Sequence, residues 1–88
     1  MSQNDPQAVG AVVREILSSV GAHADLATVG DTDSLLGSGV LDSLAMVNLV
    51  TALEGRFTIA VHETELVPEH FDTIAAIVAL VRGKLGAA

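Results

Sequence analysis

The chain has 88 residues, with 4 basic and 11 acidic side chains and a formal charge of −7. That charge disfavours nucleic acid and anionic membrane surfaces and favours basic partner surfaces. Half of the residues are apolar, yet Phe57 and Phe71 are the only aromatics and cysteine is absent, which excludes disulfides and thiolate chemistry by the chain itself. One domain, residues 1–88, is expected, because a chain this short buries only roughly 60% of its unfolded surface and has no room for a second core. Its core must be aliphatic. No apolar run approaches the roughly 18 residues of a membrane span. The opening MSQNDPQAVG lacks the cationic start and apolar run of a signal peptide, so a cytoplasmic protein is expected.

Asp5-Pro6 reads as an N-cap followed by proline at the first helical position. Val9, Val12, Val13, Ile16, Leu17 and Val20 recur at helical spacing before Gly21, a suitable C-terminal cap, and predict a helix over about 6–20. Residues 21–42 show no sustained period. A connection this long is unusual in a small domain and is either functional or simply a crossing from one end of a bundle to the other. Leu26, Val29, Leu35, Leu36, Val40 and Leu41 predict that it is packed down, with a short helical turn around 32–36.

A second helix is predicted over about 43–56, with Asp42 as N-cap. Met46, Val47, Val50, Leu53 and Phe57 form one apolar stripe, widened by Leu49 and expected to face inward. Leu44, Asn48, Thr51 and Gly55 fall on another, mostly polar or small face, which leaves Leu44 exposed beside Ser43. Phe57 to Val61 reads as an extended connection. Pro68 to Phe71 predicts one helical turn, and Asp72 is expected to cap a last helix over about 73–84, with Ile74, Ile77, Val78 and Val81 inward. Arg82 and Lys84 in its final turn suit the helix dipole, and Gly86 follows. Three main helices plus a short one make an all-α bundle.

His23, His62 and His70 match no local metal-ligand spacing, and without cysteine they read as solvent-exposed side chains, so no metal site is expected. Asp31, Asp33 and Asp42 fit three positions of a calcium loop, but Leu35 and Leu36 stand where such a loop needs an oxygen ligand and a glycine. A hydrolase would need a base and an orienting acid near Ser43. The stretch Leu41-Asp42-Ser43-Leu44-Ala45 is not a nucleophile elbow, and the chain is too small to wall off a dry pocket. Catalytic residues are therefore not expected. Two readings of Ser43 remain. It either joins Asp42 in capping the second helix, or it is an attachment point, where the free N–H groups and partial positive charge of a helix start favour a phosphate ester.

Gly39-Val-Leu-Asp-Ser-Leu44, followed by Val47, Leu49-Val50, Ala52-Leu-Glu54 and Phe57, closely resembles the second helix of acyl carrier proteins. Glu65, Glu69-His-Phe71 and Asp72-Thr-Ile74 are similar to the stretch entering the last helix of discrete, stand-alone carriers. The resemblance spans about residues 5–85. It implies a four-helix bundle with three main helices, a short third helix and a long first loop. It further implies 4′-phosphopantetheine, transferred from coenzyme A onto Ser43 by a magnesium-dependent phosphopantetheinyl transferase, with the chain itself non-catalytic. The terminal thiol of that arm would hold biosynthetic intermediates as thioesters.

The same resemblance implies, as partners, an acyl- or aminoacyl-loading enzyme and a downstream synthase or transferase, met by a monomeric carrier. They would dock on Asp42, Leu44, Ala45, Met46, Asn48 and Thr51, with Glu63, Glu65 and Glu69 as acidic contributors. The chain departs from the fatty-acid carriers at Ala45 and Asn48, where acids are common, and at Gly55-Arg56, where the helix end is usually acidic. Docking should then rest less on charge and more on Leu44. A carrier in a specialised pathway, polyketide or related, is the reading that follows. An aminoacyl or D-alanyl carrier is the alternative within the family, and an unmodified helical interaction domain the alternative outside it.

Overall fold

A computed structural model describes residues 5–20 and 28–86; Gly21, His23 and Leu26, on which the sequence placed a cap, an exposed histidine and a packed leucine, lie outside them. Among the described residues, four α-helices follow in chain order: α1 (Pro6–Ser19), α2 (Ser43–Phe57), α3 (Pro68–Phe71) and α4 (Ile74–Gly86), with a 3₁₀ turn over Glu63–Glu65. Helix α1 starts where Asp5 accepts a hydrogen bond from the Gln7 N–H at 2.9 Å, with Pro6 at the first helical position. It buries Val9, Val13, Ile16 and Leu17, packing them against α4 and α2. Helix α4 contributes Ile74, Ile77 and Val81, and α3 adds the fully buried Phe71.

These aliphatic side chains and two phenylalanines form one buried cluster, joined by Val29, Leu35, Val40 and Leu41 of the long loop. Burying each such residue fully is worth about 1.5–3 kcal/mol. An exposed pair such as Arg56–Glu15, at 3.3 Å, contributes about 0–1 kcal/mol. Packing dominates.

Helix α2 meets the core through Ala45, Leu49, Leu53 and Phe57, successive turns of one stripe, with Val50 beside it. This corrects the expected stripe. Met46 is half-buried and Val47 is 58% exposed, because the inward face is centred on the Ala45–Leu49–Leu53 row and rotates Val47 outward. The helix stops at Thr58, whose φ of 55° is left-handed and whose N–H donates to the Glu54 carbonyl. Glu54 also accepts the Val61 N–H at 3.0 Å through its carboxylate, steering the connection toward the 3₁₀ turn.

The loop before α2 has no helical turn at 32–36. Its N–H groups are drawn elsewhere. Those of Leu35 and Leu36 donate to the carbonyl and carboxylate of Asp72 respectively, the latter at 3.1 Å, while the Asp31 carbonyl accepts from Ala75 of α4 at 2.9 Å. The Ser34 hydroxyl donates to the same Asp72 oxygen at 2.7 Å and accepts the Gly37 N–H at 2.9 Å. The chain then turns through Leu35–Gly39, and the Leu41 N–H closes back on the Leu35 carbonyl at 3.0 Å. Gly37 approaches so closely that a Cβ would lie 2.7 Å from the Ser34 hydroxyl, and Gly39 takes a φ of 79°.

Asp72 therefore does not cap α4 as its position led us to expect. With its carboxylate committed to the loop, the Thr73 hydroxyl takes the capping role, accepting the Ala76 N–H at 3.0 Å. Helix α4 also runs past Lys84 to include Gly86. Lys84 reaches sideways to Glu65 at 2.7 Å rather than serving only its own helix end. That ion pair, with the His62 backbone N–H donating to the same carboxylate at 2.9 Å, ties the 3₁₀ turn to α4. The Lys84 ammonium, and then the His62 N–H, hold the Glu65 carboxyl below its ordinary value.

Removing the Asp72 carboxylate should free the loop. Asp72→Ala is expected to lower the unfolding free energy by about 2 kcal/mol, with Asp72→Asn losing less, since hydrogen bonds to a charged group are worth about 1.5–3 kcal/mol. Urea denaturation measures this, and hydrogen exchange at Leu36 should accelerate; a loss under about 0.5 kcal/mol, the range of ordinary surface substitutions, would reject the clasp.

The Glu65 tie has a pH signature. Because the carboxyl is depressed in the folded chain, its contribution is present above the unfolded value and is lost as pH falls through the folded one. Glu65→Gln should lower the melting temperature at neutral pH, and the gap from wild type should close on acidification. A gap that stays constant through the acid range would mean the tie is not ionic.

Candidate functional site

The loop delivers the chain to α2 between two buried anchors. Val40 and Leu41 are buried on one side, at 7% and 2% exposure, and Ala45 at 3% on the other. Asp42, Ser43 and Leu44 between them are all exposed. Asp42 is extended, and its carboxylate accepts the Ala45 N–H at 2.8 Å while its carbonyl accepts the Met46 N–H at 2.9 Å. These are the contacts of an N-cap. Asp42 supplies the cap; the Ser43 hydroxyl takes no part and makes no side-chain hydrogen bond among the described residues.

Ser43 is the first residue of a 15-residue helix. By helix geometry the N–H groups of Ser43 and Leu44 have no acceptor within the helix, so the surroundings of the hydroxyl carry partial positive charge. The Asp42 carboxylate offsets part of it. Neither His62 nor His70 hydrogen-bonds to Ser43. An unassisted hydroxyl is a weak nucleophile, but an accessible one is open to esterification by another protein. The fit to a phosphate ester is thus good: an exposed, unbonded hydroxyl at a helix start, on a junction fixed from both sides.

Leu44 is 73% exposed, the largest exposure of any bulky apolar side chain among the described residues. Asn48 and Thr51 are exposed on the same helix, as are Glu63 and Glu69 beyond it. Two residues grouped with them from the sequence sit differently. Ala45 points into the core at the cap and presents almost no surface. Glu65 is half-buried, with its charge matched by Lys84. Two further exposed apolar residues were not grouped with them: Val47, and Leu66 at 38% exposure. Val47 stands three residues from Leu44, which was a usable sign that both share a face; Leu66 carries no such sign, since its place depends on the 3₁₀ turn. Met46, Val47, Val50, Thr51 and Leu66 line a surface groove of about 100 Å³.

Elsewhere, no group of three or more His, Asp or Glu side chains gathers to hold a metal among the described residues. No described helix is long and apolar enough to cross a membrane.

Comparison with known families gives a match over residues 11–81 to the phosphopantetheine attachment site family. The matched span runs from the second turn of α1 into α4 and includes the whole junction at Ser43. No curated protein sequence matches the chain. Members of this family are carrier domains that meet phosphopantetheinyl transferases and synthase enzymes, and the group they carry is 4′-phosphopantetheine. The helical fold and a match covering most of the chain agree: this protein belongs to the phosphopantetheine attachment site family of carrier domains.

Proposed function

We propose that Ser43 is the residue that carries the arm, and that the chain is a non-catalytic acyl carrier of a specialised biosynthetic pathway, polyketide or related. One observation carries the first part of this reading. Ser43 presents an exposed hydroxyl with no hydrogen-bond partner at the first position of α2, while its neighbour Asp42 performs the capping that would otherwise explain a serine there.

Loading is work for a separate transferase. The Ser43 hydroxyl gives its proton to that enzyme, its oxygen bonds to the β-phosphorus of coenzyme A, and the pyrophosphate link breaks, releasing adenosine 3′,5′-bisphosphate. The start of α2 favours the added negative charge by about 0.3–1 kcal/mol. When attached, the group supplies the terminal thiol on which acyl cargo is held as a thioester. The chain's own contribution is positional. Val40, Leu41 and Ala45 fix where the arm begins, and tethering raises the effective concentration of its load at a docked enzyme.

Docking uses the exposed face beside the hydroxyl: Asp42, Leu44, Met46, Asn48 and Thr51, with Glu63 and Glu69 as acids. The specialised pathway is supported by Ala45 and Asn48, which leave the start of α2 without the acids common in fatty-acid carriers. This reading assigns the chain to the cytoplasm as a monomer.

Incubation with coenzyme A, magnesium and a broad-specificity phosphopantetheinyl transferase should add the mass of one phosphopantetheine to the intact chain. Ser43→Ala should abolish the gain and keep the far-ultraviolet helical signal. A wild type left unmodified by several such transferases, or a Ser43→Ala variant that still gains the mass, would reject the assignment.

A further inference from the structure

Ser34 stands at the start of a closed, hydrogen-bonded turn that ends at Leu41, directly before Asp42. Its hydroxyl donates to the Asp72 carboxylate at 2.7 Å and accepts the Gly37 N–H at 2.9 Å, while its carbonyl accepts the Ser38 hydroxyl at 2.5 Å. The Gly39 N–H then donates to the Leu36 carbonyl at 3.3 Å, and the Leu41 N–H to the Leu35 carbonyl at 3.0 Å. One carboxylate oxygen of Asp72 takes both the Ser34 hydroxyl and the Leu36 N–H. Leu35 and Leu41 fix the two ends of the turn in the core. An unbroken set of bonded and packed groups therefore runs from the α3–α4 junction to the residue that precedes the α2 cap. Energetic coupling between separated positions travels through contiguous sets of this kind. Asp72 bonds to Ser34, Leu35, Leu36 and Pro68, and to nothing on α2 among the described residues. Any influence it has on Ser43 passes through the turn.

We propose that Asp72 is a positioning residue for loading at Ser43: its carboxylate holds the turn over 34–41 in the one shape that presents the exposed hydroxyl to a transferase. The proposal rests on the carrier reading and adds to it a residue that the transferase need not touch. Removing the carboxylate leaves the loop attached, because the Leu35 N–H still donates to the Asp72 carbonyl and the Ala75 N–H to the Asp31 carbonyl. What is lost is the partner of the Ser34 hydroxyl and of the Leu36 N–H, and with it the internal shape of the turn. The segment leading into Asp42 then samples several arrangements in a chain that is still folded. A transferase meets the competent arrangement only part of the time, and its apparent affinity falls by that fraction. Once the competent form is bound, the hydroxyl reacts as before. The effect therefore belongs to KM and not to kcat.

The probe is a broad-specificity phosphopantetheinyl transferase with coenzyme A and magnesium, acting on the intact chain at a temperature where each variant keeps the folded far-ultraviolet signal. Asp72→Ala should raise the KM for the carrier about fivefold or more with kcat little changed. Asp72→Asn keeps an oxygen that accepts both bonds and should return KM most of the way to the wild-type value. Ser34→Ala removes the hydroxyl and spares the Leu36 bond, so KM should rise less, by about threefold. Added to Asp72→Ala it should change little more, as parts of one network are not additive. Val13→Ala truncates the core from α1, outside the clasp, and should leave KM as in wild type. Amide hydrogen exchange gives a readout free of the transferase. In the Asp72→Ala chain, exchange at Leu41 and Ala45 should quicken relative to Leu53, which lies inside α2.

If Asp72→Ala fails to fold, Ser34→Ala decides the question alone. A KM unchanged in the folded variants overturns the positioning role and leaves the carrier reading standing. So does a KM raised as much by Val13→Ala, which would trace the effect to general loss of stability, or a fall in kcat at unchanged KM. A wild type that no transferase modifies removes the carrier reading, and the positioning role with it.

Discussion

Asp72 is the constraint on which the rest of this structure depends. It stands between α3 and α4, and through its carbonyl and carboxylate it takes the N–H groups of Leu35 and Leu36 and the hydroxyl of Ser34. Those bonds press the long loop onto the bundle, where Leu35, Val40 and Leu41 enter the core. The loop then arrives at α2 with Leu41 already buried, which fixes the approach to Asp42 and Ser43. Without the clasp, the segment leading into the junction would be held by the Asp31–Ala75 hydrogen bond, the Arg14–Asp31 pair and the burial of its own apolar side chains alone. On the reading proposed for Ser43, a hydroxyl that other enzymes must find gains from a rigid, open setting, and this arrangement provides one at little cost in core area.

The same economy runs through the charges. Among the described residues, ion pairs join separate elements: Arg14 with Asp31 of the loop, Arg56 of α2 with Glu15 of α1, and Lys84 of α4 with Glu65 of the 3₁₀ turn. None of these three cations lines the groove of Met46, Val47, Val50, Thr51 and Leu66. After the hydroxyl, α2 exposes Leu44 and Val47, and Asp42 stands exposed before it. Members of the family meet phosphopantetheinyl transferases and synthase enzymes, and the function proposed above puts that contact on the face beside Ser43.

Much of this was legible in the residues. The 3.6-residue period of α1 and α4, the Asp5-Pro6 start and the one-turn Pro68–Phe71 helix all follow from local rules. So does the exposure of Leu44, since the row it shares with Asn48, Thr51 and Gly55 is otherwise polar or small. What was not legible depends on partners distant in sequence. Residues 32–36 were read as a helical turn, but the N–H groups of Leu35 and Leu36 answer to Asp72, 36 or more positions away. For the same reason Asp72 looked like a cap for α4, a role that Thr73 fills. The orientation of α2 was misread because Ala45, Met46, Val47, Leu49 and Val50 are all apolar, and two overlapping stripes fit the pattern. Only packing against α1 and α4 chooses the Ala45–Leu49–Leu53 row and turns Val47 outward, and the groove with Leu66 exists because of that choice.

The central claim is that the carried group sits on Ser43. It is tested most directly by peptide-level fragmentation mass spectrometry of the chain after coexpression with a phosphopantetheinyl transferase. The account predicts a single phosphopantetheine located on Ser43, with Ser34 and Ser38 of the same loop unmodified. Modification at either of those serines, or a peptide spanning Asp42-Ser43-Leu44 that carries nothing, would contradict it.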